Sequence, residues 1–211
     1  EWTGNRYKSN SGDNCSGLPE DAKLGYGMSG GSGCLWLSLP YVNKDGTQVV
    51  TTWWGDSPDY DPEPTLAYCR AAVREACETL GADPNNIILA GFSRGSIACN
   101  YLGLHDDETS ALWRAFVCYS HYDGVRAWAF PGSDRASALQ RLNRLKGRQQ
   151  FICSEGTLSE NTRSYLENAA PLEKSAFTFI STGFENHNDA WILRPSQART
   201  TLRVWLQRVT Q

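Results

Sequence analysis

Histidine is scarce in this sequence: three in 211 residues, at His105, His121 and His187, so any chemistry that needs an imidazole has three candidates. No Cys-x-x-Cys pair occurs, and no Cys/His cluster has zinc-ligand spacing, so neither a metal nor another cofactor is expected. No apolar run approaches the roughly 18 residues that span a bilayer, and none suggests a membrane partner. There is no excess of positive charge. The net charge is −3 and the isoelectric point about 5.6, which excludes the electrostatic footprint of a nucleic-acid binder. The one basic cluster, residues 141–146, carries its charges at helical spacing and is expected to be a solvated helix face. No charged n-region precedes an apolar h-region at the start. With Glu1 in place of Met, the expectation is a processed or trimmed product, whose compartment its first residues do not give.

Cysteine, by contrast, is plentiful. Seven is many for a cytosolic protein and odd for a fully bridged one, which leans localisation toward secreted or periplasmic. Cys99, Cys118 and Cys153 fall in apolar segments and are expected in the core. Cys15 and Cys34, in polar, glycine-rich surroundings, form the expected disulfide. Cys69 and Cys77 lie two turns apart on one predicted helix, too far to pair.

The length suits one domain, residues 1–211, with 1–34 largely loop. Beyond it, short apolar runs alternate with helical patterns, which reads as an α/β fold. Strands are predicted at 35–42, 48–54, 87–90, 115–119, 149–153 and 177–181, the first two as a hairpin around Lys44-Asp45-Gly46. Leu66, Cys69, Val73, Ala76 and Leu80 recur at helical spacing, with Thr65 as N-cap and Gly81 as stop. Further helices are predicted over 96–104, from Ser133 or Asp134 to 145, from Ser159 to 168, and over 196–209.

Between the strand at 87–90 and the helix at 96–104 stands Gly91-Phe92-Ser93-Arg94-Gly95. A nucleophilic serine must leave a sharp turn, and glycines two residues to either side let strand and helix pack without a Cβ between them. The pentapeptide is common; its strand-to-helix setting is what gives it meaning. The helix N-terminus favours an oxyanion, and the Arg94 N–H is the natural first donor. A serine hydroxyl is a poor nucleophile without a base. His187, in a loop between the last strand and last helix, is the expected base. His121, just past a strand end, is expected to contact substrate or to stand in as base. The acid that orients the base should follow the strand at 149–153. Glu155 is favoured, with Asp123 and Glu160 as alternatives.

These residues give a resemblance to the α/β-hydrolase superfamily over roughly residues 35–210. It is carried by Gly91 to Gly95, by Ser154-Glu155-Gly156 and by His187, in the order serine, acid, histidine. The resemblance implies a mostly parallel, doubly wound sheet flanked by helices and two-step acyl transfer. Two departures accompany it. The N-terminal strands usual in the family, with their second oxyanion donor, are not visible: they are lost, supplied by a second polypeptide, or absent from a compact variant. Gly30 to Gly33 could bring an N–H near the site. The segment between residues 119 and 149 is too short for a large cap domain, so an open site and a bulky ester are expected. Trp54 and Trp191, in loops near the expected site, are candidate substrate contacts beside His121, and Trp128 belongs to the same set; aromatic faces suit sugar or aromatic esters. The expected function is a serine carboxylic-ester hydrolase, the alternatives a serine peptidase of the same fold or a silent hydrolase fold used for binding.

Overall fold

The computed structural model describes residues 23–55, 58–169, 173–188 and 190–211. The described chain opens with helix α1 (Lys23–Ser29) and a short antiparallel hairpin of β1 (Tyr41–Val42) and β2 (Val49–Val50). Helix α2 (Glu63–Thr79) then leads to β3 (Ile88–Phe92), α3 (Arg94–Tyr101), the single turn α4 (Asp107–Ser110) and β4 (Ala115–Tyr119). After these come α5 (Arg135–Leu142), β5 (Gln149–Ser154), α6 (Leu158–Glu167), β6 (Phe177–Ser181) and α7 (Gln197–Val209). Strands β3 to β6 form a four-stranded parallel sheet in sequential order. The fold class is therefore α/β, with β3 at one edge of the sheet among the described residues.

Parallel strands covered on both faces must be apolar on both, and β4 reads Ala-Phe-Val-Cys-Tyr with every residue buried. Alternation divides them between two cores. Phe116, Cys118 and Ile152 face the helices α2, α3, α5 and α6. Val117, Tyr119, Phe151 and Cys153 face α1 and α7, where Leu202, Trp205 and Val209 form the apolar stripe of α7. Cys99, Cys118 and Cys153 are buried as expected. The six cysteines among the described residues are free thiols, Cys34 included, and Cys15, its expected partner, lies outside the described residues.

Several local expectations are corrected. Residues 23–29 are helix rather than loop: Leu24 and Met28, one turn apart, join the second core, and the Arg203 guanidinium donates to the Gly27 carbonyl at 2.7 and 3.0 Å. A seven-residue helix is unstable alone and is held by such docking. In the region expected as a strand at 35–42, only Tyr41 and Val42 pair; Pro40, which has no N–H to give a ladder, precedes them. Pro62, not Thr65, occupies the N-cap of α2, and the Thr65 hydroxyl instead accepts the Val42 N–H at 3.1 Å. Helix α6 starts at Leu158 with Thr157 at the N-cap, one residue ahead of the expected start. The basic stretch 141–146 is not a uniformly solvated face, because Arg141 is buried and bonded to Asp123.

Gly91 carries the closest approach between strand and helix. A Cβ there would stand 2.2 Å from the Gly95 carbonyl oxygen, a backbone atom that cannot swing away. Gly91→Ala is therefore expected to cost about 3 kcal/mol. Chemical denaturation measures it, and a loss below a third of that figure would mean the turn relaxes freely.

Candidate active site

The candidate site residues lie along the C-terminal ends of the parallel strands, where α/β sheets open a crevice. Ser93 follows β3, Ser120 and His121 follow β4, Glu155 follows β5, and His187 lies beyond β6. Ser93 sits at φ 57°, ψ −120°, outside the regions an ordinary residue occupies. That backbone is held by the Ser93 N–H, which donates to the Tyr119 carbonyl at 3.0 Å, and by the start of α3 at Arg94. Strain of this kind persists only where the surroundings over-determine it. The turn aims the hydroxyl out of the sheet and leaves the Arg94 N–H in the first turn of a helix, where amides lack intrahelical acceptors.

The Ser93 Oγ lies 3.0 Å from His187 Nε2, and His187 Nδ1 lies 2.5 Å from Glu155 Oε1. The ring of His187 rests 4.9 Å from that of Phe92, and its side chain is 47% exposed, whereas that of Glu155 is 8% exposed. Burial alone would raise the Glu155 carboxyl. Hydrogen bonds from His187, from its own backbone and from Ser120 hold it below the usual range instead. The arrangement is a hydroxyl, a half-exposed imidazole and an ionised carboxylate in line.

Of the three carboxylates weighed as the acid, only Glu155 reaches His187. Asp123 is buried and committed elsewhere: Arg141 Nε donates to its Oδ2 at 2.9 Å and Arg141 Nη2 to its Oδ1 at 3.1 Å. Burial pushes its carboxyl up to about 6 against the pull of that guanidinium. Glu160 stands exposed in the first turn of α6. His121 does reach the site, its ring centroid 5.3 Å from that of His187, with Trp128 stacked on it at 6.0 Å and 17°. Burial lowers the His121 pKa, and so does the neighbouring His187; Glu155 pulls it upward and Arg126 lowers it further.

Trp191 is not a substrate contact. The 3-10 turn Ala190–Leu193 carries it inward, where it packs on Tyr119 at 1% exposure. Trp54 is half-buried, with one face taken by Phe130 at 4.3 Å and 9°, and belongs to an aromatic group with Trp53. The nearest neighbours of Gly30 and Gly31 are Arg203 and Tyr26, which ties that loop to α1 and α7.

Two serines of the site were not anticipated. Ser120, buried and at φ 83°, gives its hydroxyl to Glu155 Oε1 at 2.9 Å and stands 3.0 Å from His121 Nδ1 and 3.2 Å from His187 Nδ1. Ser96, in the first turn of α3, donates to the His121 carbonyl at 2.5 Å. The only sequence signal for Ser120 is its position after a strand beside His121. Compared with family models, with curated proteins and with solved structures, the chain has no match.

Proposed function

We propose that this chain is a serine hydrolase of the α/β-hydrolase type, cleaving carboxylic esters through an acyl-enzyme. The observation that carries the reading is the unbroken line from Ser93 Oγ to His187 at 3.0 Å and from His187 to Glu155 at 2.5 Å. In the first half-reaction His187 Nε2 takes the Ser93 proton while Oγ attacks the ester carbonyl carbon. The Arg94 N–H meets the oxygen that becomes negative. Collapse breaks the bond to the alcohol, which leaves with the proton from His187 and strands the acyl group on Ser93. Water then loses a proton to His187, attacks the acyl carbon, and releases the acid as the serine recovers its proton. Glu155 takes no proton; it holds Nδ1–H in position and stabilises the imidazolium.

The surroundings favour a bulky ester. The connection between β4 and β5 carries only α5 and the 3-10 turn Asn143–Leu145 as regular structure, which leaves no room for a large cap over the site among the described residues. His187 is half-exposed, and Trp128 stands 36% exposed beside His121, a rim suited to a carbohydrate or aromatic ester. A fluorophosphonate probe tests the reading directly. The wild type is expected to be labelled and Ser93→Ala not, and an unlabelled wild type would sink the proposal.

A further inference from the structure

We propose that Ser120 is a positioning residue that locks the tautomer of His121, and that His121 Nε2 thereby accepts a hydrogen bond from a substrate hydroxyl beside the scissile ester. The preferred substrate is then a partly acylated sugar with a free neighbouring hydroxyl. This inference rests on the hydrolase reading and names the alcohol half of its substrate.

Glu155 Oε1 is the common acceptor of the site, with His187 Nδ1 at 2.5 Å and the Ser120 hydroxyl at 2.9 Å. A hydroxyl has one proton, and an ionised, buried carboxylate has the stronger claim on it, because charge-assisted bonds exceed neutral ones. Having given its proton away, the Ser120 oxygen can only accept. His121 Nδ1, 3.0 Å from it, must then carry the hydrogen. In a neutral imidazole that leaves Nε2 as a bare acceptor.

Neutrality is favoured by what surrounds the ring. The titratable and charged groups facing it are His187, Glu155 and Arg126; burial, His187 and Arg126 together lower its pKa against the upward pull of Glu155. Among the described residues Nε2 has no hydrogen-bond partner, while everything else about His121 is pinned. Ser96 Oγ holds its carbonyl at 2.5 Å, Ser120 holds Nδ1, and the Trp128 ring lies against its face. Ser120 itself is held at φ 83°, a conformation serine rarely takes, like that of Ser93 across the site. A rigid imidazole with one unengaged lone pair, 5.3 Å from the base that serves the leaving alcohol, suits a donor on that alcohol. A simple alkyl ester offers none; a sugar ring offers a vicinal hydroxyl, and beside His121 stands Trp128, 36% exposed, with the Arg126 guanidinium 4.6 Å from its ring.

The test pairs methyl 2-O-acetyl-xyloside with its 3-deoxy analogue, which lacks the neighbouring hydroxyl, and adds glycerol monoacetate as an open polyol. The wild type is expected to favour the hydroxylated glycoside about tenfold in kcat/KM, the size of one buried hydrogen bond left unmade. In His121→Ala that ratio should fall to near one. In Ser120→Ala, where alanine meets the same backbone demand as serine, the ratio should fall as well. Nitrogen-15 spectra of the imidazoles should then show His121 moving from the Nδ1–H toward the Nε2–H form, a change that loss of packing alone does not produce. A wild-type ratio near one, a ratio that survives His121→Ala, or an unchanged tautomer in Ser120→Ala overturns the inference while leaving ester hydrolysis standing. A preference confined to glycerol monoacetate overturns the assignment to a sugar. No hydrolysis of any of the three, with no fluorophosphonate labelling, overturns the hydrolase reading itself.

Discussion

His187→Ala is expected to lower kcat for an activated ester such as 4-nitrophenyl acetate by about 10³-fold or more, with little change in melting temperature. The two halves of this expectation have separate causes. Among the described residues the imidazole in reach of Ser93 Oγ is that of His187, at 3.0 Å, and a hydroxyl at its own pKa is a weak nucleophile at neutral pH. The imidazole is half-exposed and lies on the rim of the site, so its removal opens no cavity in either core. Glu155→Gln should cost about 10²- to 10⁴-fold in kcat, since an amide can accept one bond but cannot stabilise the imidazolium as a carboxylate does. Glu160→Gln, exposed on the first turn of α6, should change nothing measurable. Steady-state kinetics on the three variants decide the matter, and a large loss for Glu160 with none for Glu155 would reassign the acid.

What could be read before the fold was known follows from how local each signal is. Gly91 to Gly95 is legible because strand, turn and helix are contiguous, and each leaves its mark within a few residues: an apolar run, a glycine at the close approach, a helical pattern. Strands β4 and β6 were legible to the residue for the same reason. His187 and Glu155 were reachable because each occupies a loop at the C-terminal end of a strand, and sheet topology does the rest. Ser120 was not, because its meaning depends on a φ of 83° and on bonds to residues 35 and 67 positions away. Trp191 misled in the same way: its position after His187 reads as a loop at the site, while a 3-10 turn carries the ring into the core. Arg141 is the sharpest case. A charge at helical spacing looks alike whether it faces water or a buried carboxylate, and only the tertiary arrangement supplies Asp123.

That pair makes the largest expected effect on stability. Arg141 makes three side-chain hydrogen bonds, two to Asp123 and one, at 2.7 Å, to the Gly132 carbonyl, and its guanidinium lies 4.4 Å over the Tyr101 ring. It thus ties α5 to the loop that follows His121. Arg141→Met keeps much of the volume and removes the charge, leaving a carboxyl 2% exposed without its partner. Breaking one side of a buried pair costs about 3–5 kcal/mol at neutral pH. The pH dependence has a definite sign. The folded Asp123 carboxyl, at about 6, already lies above its unfolded value near 3.9, so the native state binds more protons over that interval. Stability from this group is fully present below the unfolded value and is lost as pH rises through the folded one. Without Arg141 the folded value climbs further and the loss extends to higher pH. Urea denaturation of wild type and Arg141→Met at pH 5 and pH 8 is therefore expected to show a gap that widens at the higher pH. A gap of equal size at both would mean that the lost tie to Gly132, and not the stranded carboxyl, sets the cost. Asp123→Leu added to Arg141→Met should recover most of the loss at pH 8, since a matched apolar pair carries no buried charge.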